Sequence, residues 1–162
     1  MNSIETPFAT GKQFHVSRNI AASSQFEKDN PLWEVEEDLR WLGNYVSSKV
    51  FLYSKKHERN FEDFEDMETR AKSFQLDFLT GLKGDTPYGR FIIDNELSNK
   101  ERLIILLVLA PYFKTGVLNV MHFENTSTKK PYPEFGGILH SEKEFIPTID
   151  TIRFLITNGD VA

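Results

Sequence analysis

Apolar positions recur at helical spacing through the middle of the chain. Leu32, Val35, Leu39, Leu42, Val46 and Tyr53 follow one another at three- and four-residue steps or their sum, and so fall on one stripe. Asn30-Pro31 opens this segment: Asn supplies an N-cap acceptor, and Pro suits a first helical position whose amide has no intrahelical partner. Glu34, Glu36, Glu37 and Asp38 crowd the start while Lys49, Lys55 and Lys56 lie near the end, which complements the helix dipole. Trp33 and Trp41 flank the stripe and widen it. The same spacing returns in Phe61, Phe64, Met67, Ala71, Phe74 and Phe78, with Glu62, Asp63, Glu65 and Asp66 between them, and predicts a second helix. The connection around 57–60 is short, which favours an antiparallel helical hairpin.

Beyond Thr80 the pattern changes. Gly81, Gly84, Pro87 and Gly89 mark a loop and a subdomain boundary, and Phe91-Ile92-Ile93 reads as a short strand. Ser98-Asn99-Lys100-Glu101 has capping-box spacing, so a helix starts at Asn99. From Leu103 to Leu109 that helix is apolar nearly all round. Other elements are therefore expected to surround it, with Pro111 ending or kinking it. Val117, Leu118, Val120, Met121 and Phe123 predict one more short helix, and residues 125–133 an exposed loop. Phe135 to Leu139 and Glu144 to Ile146 are two extended pieces around 140–143, the outline of a hairpin or wing. Pro147-Thr148 opens a last helix through Phe154, Leu155 and Ile156, which Asn158-Gly159 closes. The first stretch, by contrast, has no period; Phe8, Phe14 and Phe26 could dock it onto a core. The expected organisation is an extended or disordered arm over 1–29, a helical hairpin over 30–82, and a further subdomain over 83–162 packed with the hairpin as one domain. The fold class is mainly α with a small β component (α+β).

Composition narrows the function. A chain of 162 residues, 40% hydrophobic and 13% aromatic, is long enough to bury one core. Lys and Arg number 19 against 24 Asp and Glu, and 19 − 24 = −5. Such an acidic balance argues against polyanions as partners, because counterion release needs clustered cations. Cysteine is absent, which removes disulfides, thiolate metal sites and cysteine nucleophiles and agrees with a cytoplasmic setting. No early apolar run could serve as a signal-peptide core, and the strongest run, Leu103 to Ala110, is far short of the roughly 20 residues a membrane span needs.

Three groups of residues then stand out together: the run Glu101-Arg102-Leu103-Ile104-Ile105-Leu106-Leu107-Val108-Leu109-Ala110-Pro111, then Phe135-Gly136-Gly137, then Phe145-Ile146-Pro147-Thr148 with the closing apolar helix. In these the chain resembles the winged-helix-like domain at the N-terminus of a group of bacterial AAA-type ATPases, some of them associated with contractile injection systems. The similarity spans roughly Pro31 to Gly159. Lys129-Lys130-Pro131-Tyr132-Pro133 and Ser141-Glu142-Lys143-Glu144 depart from it, standing where glycine-rich segments are expected. The resemblance implies a winged-helix-like subdomain over 83–162 and a nucleotide site in a separate downstream module. The chain itself would then be a non-catalytic interaction or adaptor domain that positions the ATPase, with no cofactor or metal of its own. Its partner would be another protein or the remainder of its own longer chain.

Candidate chemistry is sparse. No Gly-x-x-x-x-Gly-Lys-Ser/Thr run cradles a phosphate, and Gly11-Lys12-Gln13 lacks both the upstream glycine and the hydroxyl. Phe91-Ile92-Ile93-Asp94-Asn95-Glu96 looks like a strand ending in metal-binding acids but has no phosphate loop to serve. His15, His57, His122 and His140 make no metal spacing, and His140-Ser141 with Asp150 lacks a nucleophile elbow. The acidic block 58–68 reads as a solvated helix face, and Phe61, Phe64, Phe74 and Phe78 as core. The candidate partner-contact surface is Asn125, Thr126 and Ser127 in the exposed loop, with Phe135, Gly136 and Gly137; the structural reading of that glycine pair is a tight turn. A winged helix that binds nucleic acid is the alternative. Its reading segment would be 114–123, which carries one lysine, one histidine and neither arginine nor glutamine to read base edges.

Overall fold

The computed structural model of the protein describes residues 30–57, 81–114, 116–141 and 144–157. These form four α-helices, α1 (Trp33–His57), α2 (Pro87–Asp94), α3 (Asn99–Phe113) and α4 (Ile149–Thr157). Two 3-10 turns, Asn119–His122 and Pro133–Phe135, and one antiparallel hairpin of β1 (Ile138–Ser141) and β2 (Glu144–Ile146) complete the described elements. The architecture is mainly α with a small β part. The arm over 1–29, the second helix over 61–78 and the closing Asn158-Gly159 lie outside the described residues.

The α1 stripe does what its spacing predicts: Val35, Leu39, Leu42, Val46 and Tyr53 are buried, joined by Tyr45 and Val50. Leu32 precedes the first turn and stays 41% exposed, so the stripe begins one step later than its period suggests. Against this face pack Leu103, Leu106, Leu107 and Ala110 of α3 and Phe154 and Leu155 of α4, forming one core. The Tyr45 hydroxyl donates to the Leu155 carbonyl at 2.8 Å and ties α1 to α4 across most of the chain. Burial pushes that phenol up to about 12. Further along α1, Tyr53 meets Tyr132, Phe135 and Phe154 edge-on at 5.4–5.6 Å between centroids, an aromatic cluster under the end of the helix.

Two local expectations change. Phe91-Ile92-Ile93 is helical, not extended. Thr86 caps α2 by accepting from the Gly89 amide at 3.0 Å and Pro87 occupies the first turn, so capping chemistry outweighs the β-branched run. Only Ile92 and Gly89 of α2 are buried, which leaves Phe91 and Ile93 facing outward. The second change concerns α3. Its capping box is present, with the Ser98 amide donating to the Glu101 carboxylate at 2.8 Å and the Glu101 amide to the Ser98 hydroxyl oxygen. Yet α3 is not surrounded: Val108 is 58% and Tyr112 84% exposed. Pro111 sits inside the helix, which runs on to Phe113; the Lys114 amide, donating to the Ala110 carbonyl, closes the last turn.

After α3, Leu118 and Met121 anchor the turn at 116–122 in the core, as the apolar spacing suggests, although in a 3-10 rather than an α geometry. The predicted hairpin is present, although its first strand runs Ile138–Ser141 and not from Phe135, which the 3-10 turn Pro133–Phe135 takes up. Ile138 pairs with Ile146 and Leu139 with Phe145, so Phe145 points inward while Glu144 and Ile146 point out. Gly136 and Gly137 both have positive φ, 61° and 84°. A Cβ on Gly137 would overlap the Phe145 ring, and one on Gly136 would come within 2.8 Å of the Thr151 amide nitrogen. The pair is thus a tight turn that seats the hairpin on the start of α4, and the Gly137 amide donates to the Thr148 hydroxyl at 3.0 Å.

Candidate interaction surface

Among the described residues, Glu34, Asp38, Tyr88 and Arg102 gather where α1, α2 and α3 meet. Glu34 is buried in the first turn of α1. Its carboxylate accepts from the backbone amides of Lys83, Gly84 and Thr86 at 2.7, 3.1 and 2.9 Å and from the Thr86 hydroxyl. One turn on, Asp38 accepts from the Arg102 guanidinium at 2.6 Å and at a second nitrogen, and from the Tyr88 hydroxyl at 2.6 Å. Gly89 lies directly over Glu34, where any Cβ would overlap the carboxylate.

Electrostatics follow from these bonds. Burial works to raise the Glu34 pKa, but the hydrogen bonds from Thr86, Lys83 and Gly84 outweigh it and hold the group below the usual carboxylate range. Burial opposes charge on Arg102 as well, and Asp38 with Tyr88 overcomes it and raises that pKa further. The Tyr88 phenol is driven far above its ordinary value by burial first and by Asp38 second. Each ionised group in this seam is therefore locked by internal partners. The seam fastens the 81–86 segment and α2 to α1, and it leaves no poised acid, base or nucleophile there.

On sequence, Glu34 and Asp38 belong to the acidic start of a helix, where they complement its dipole, and nothing beyond that is assigned to them. A signal was available: 34 and 38 are four apart and next to Val35 and Leu39, so both carboxylates share the edge of the buried stripe. Their partners, Thr86, Tyr88 and Arg102, lie roughly fifty to sixty residues on and could not be paired from spacing alone.

Other candidate residues are distributed without convergence. His57 ends α1 with its ring 4.2 Å from that of Tyr53. His122 is half-buried and edge-on to Phe145, and its Nε2 is buried without a partner among the described residues. His15 lies outside the described residues, as do the side chains of His140 and Ser141. Asp150 is exposed and pairs with Arg153 at 3.4 Å. Asp94 and Glu96 belong to the end of α2 and the turn after it, and Glu96 takes a φ of 49°, so no strand end presents them to a metal. Among the described residues, no three His, Asp or Glu side chains gather closely enough to hold a metal ion, and no helix is long and apolar enough to cross a membrane.

The expected contact surface divides. Asn125 organises the loop: its side-chain oxygen accepts from the Ser127 and Thr128 amides at 3.0 and 2.9 Å, and its side-chain nitrogen donates to the Tyr132 hydroxyl. Thr126 and Ser127 are displayed outward by that turn. Phe135 is corrected from contact to core, being 1% exposed between Tyr53, Tyr132 and Phe154, and Gly136 and Gly137 are half-buried against α4 and Phe145. What the sequence did not single out is the outward face of α3, where Val108 and Tyr112 stand one turn apart, together with the outward Ile138, Ile146 and Ile149 of the hairpin and the start of α4.

The surface also holds a cleft of about 480 Å³ between α1 and the segment that follows α3. It is lined by Leu39, Arg40, Gly43, Asn44 and Ser47 from α1 and by Lys114, Gly116, Val117 and Val120 from the other side. No family model, curated protein or solved structure matches the chain.

Proposed function

We propose that this chain is a non-catalytic protein-interaction domain whose region 83–162 is winged-helix-like. The observation that carries the reading is the outward face of α3. A helix apolar nearly all round leaves Val108 and Tyr112 in solvent while Leu103, Leu106 and Leu107 are fully buried, and large exposed apolar side chains on a rigid helix suit contact with a complementary apolar protein surface. The seam between α1, α2 and α3 supports it from the other side, since the buried carboxylates there are consumed in holding the fold.

The order of α3, the turn at 116–122, hairpin and α4 supports the winged-helix-like arrangement. Attachment to a downstream AAA-type ATPase, which the domain would position on its target, rests on the resemblance in residues 101–111, 135–137 and 145–148. Binding of nucleic acid is the weaker reading. The element that would enter a groove is a single 3-10 turn with Met121 buried in the core, and base edges are read by helices or ribbons rich in donors.

Site-directed photo-crosslinking tests the reading. A photoreactive residue at Tyr112, introduced into the protein expressed in its native cell, is expected to give a discrete protein adduct that the same residue at exposed Glu37 does not. No adduct at Tyr112, combined with salt-sensitive binding of a DNA duplex by the purified chain, would replace this reading with the nucleic-acid one.

A further inference from the structure

We infer that the cleft between α1 and the segment after α3 is a docking site for an acidic peptide segment of a protein partner. The inference rests on the reading of the chain as an interaction domain and assigns it a second surface, on α1, separate from the outward face of α3. The argument begins with charge. Nine described residues line the cleft, and among them two, Arg40 and Lys114, are cations while none is a carboxylate, in a chain whose net charge is −5. Among the described residues neither cation makes an ion pair, and the side chains of Arg40, Lys114 and Asn44 make no hydrogen bond. The donors that face this space are therefore unspent, unlike the guanidinium of Arg102, which Asp38 and Tyr88 occupy.

The remaining lining selects a peptide over a bare anion. Ser47 commits its proton to the Gly43 carbonyl at 2.7 Å, so its oxygen is left as an acceptor for an incoming amide. Asn44 offers an acceptor and donors on the same side. Leu39, Val117 and Val120 form an apolar floor for an aliphatic or aromatic side chain. Gly43 keeps that floor open, since a Cβ there would already touch Val117 at 3.9 Å, and Gly116, at φ 98°, turns the backbone beside Lys114. Carboxylate on Arg40 and Lys114, peptide amide on Ser47 and Asn44, and an apolar side chain between the valines together match an acidic segment with interspersed hydrophobic residues. Two cations are few for a nucleic acid, whose phosphate backbone is bound by neutralising many charges at once.

The test uses two synthetic peptides of equal length, one alternating Glu with Leu and the other Gln with Leu, titrated into the full chain while amide NMR shifts and fluorescence anisotropy are followed. The Glu peptide is expected to shift Gly43, Asn44, Gly116 and Val117 and to bind at least about tenfold more tightly than the Gln peptide. The double variant R40E/K114E, at two exposed positions, is expected to keep the wild-type melting temperature and to lose at least about tenfold in affinity for the Glu peptide. The proposal is overturned by equal binding of the two peptides, by unchanged affinity in R40E/K114E, or by no binding at all. It is overturned too if a short DNA duplex shifts the same amides with a steep salt dependence, which would hand the cleft to nucleic acid. Shifts confined to Val108 and Tyr112 would sink the cleft and leave the interaction-domain reading standing, and crosslinking at Tyr112 decides that reading separately.

Discussion

Glu34 shows how one side chain can serve its own helix and a distant segment at once. An acid in the first turn does complement the helix dipole, but four donors and complete burial make it a structural fastener as well. Glu34→Ala would strand three backbone amides, all in the segment that leads into α2, and we expect a loss of about 2–4 kcal/mol in chemical denaturation. Gly89→Ala should cost about 1–3 kcal/mol by pressing a methyl into the same carboxylate. The neighbouring pair separates geometry from charge. Asp38→Ala leaves Arg102 buried and uncompensated and should cost about 3–5 kcal/mol, whereas replacing both, Asp38→Leu with Arg102→Met, should restore most of that loss. If the double variant were no more stable than Asp38→Ala alone, the charge would not be what destabilises the single one. The sequence could place 34 and 38 on one face, but only the fold brings Thr86, Tyr88 and Arg102 to them.

At the level of elements, several features whose determining contacts are local follow from the sequence. The capping box at Ser98, the turn at Gly136-Gly137 and the paired strands each depend on residues a few positions apart; the first two are where their pattern puts them, while β1 starts at Ile138, three residues after the expected Phe135. The segment 91–93 failed as a strand because Thr86-Pro87 starts a helix ahead of it, a signal masked by the glycines on either side. The face of α3 failed differently: hydrophobic periodicity measures how apolar a helix is, and it cannot say whether the apolar side is covered by this chain or by another. Two substitutions distinguish these roles. Ser98→Ala removes a cap and should lower stability by about 1 kcal/mol. Tyr112→Ser removes a side chain that is 84% exposed and should change stability by no more than about 0.5 kcal/mol, while abolishing the adduct that a crosslinker at Val108 gives. A large loss of stability in Tyr112→Ser would mean that this face belongs to the core of the chain itself.

On the scale of the whole molecule, the stripes on α1 and α3 and the closing helix already announce a single helical core, whereas the polar bonds that lock its parts together are long-range and set how stability depends on pH. Glu34 is held below its ordinary pKa in the folded state, so the folded chain binds fewer protons than the unfolded one as acid is added. Its contribution is complete above the unfolded value near about 4.5 and is lost as pH falls through the lower, folded one. The phenols act in the opposite sense. Tyr45 and Tyr53 are pushed up to about 12 by burial, with Glu134 adding to the shift at Tyr53, so the folded state holds their protons more tightly than the unfolded chain does. Their contribution is complete below the unfolded phenol value near about 10 and fades as pH climbs toward 12. Thermal melts across pH should therefore show a plateau with a shoulder at each end. Glu34→Gln is expected to lower the plateau and flatten the acid shoulder while leaving the alkaline one in place. Tyr45→Phe, which also gives up the bond to the Leu155 carbonyl, should lower the plateau by about 1 kcal/mol and soften only the alkaline side. An acid shoulder unchanged in Glu34→Gln would show that carboxylates other than this one govern unfolding in acid, and that the seam between α1, α2 and α3 is not the part of the molecule that yields first.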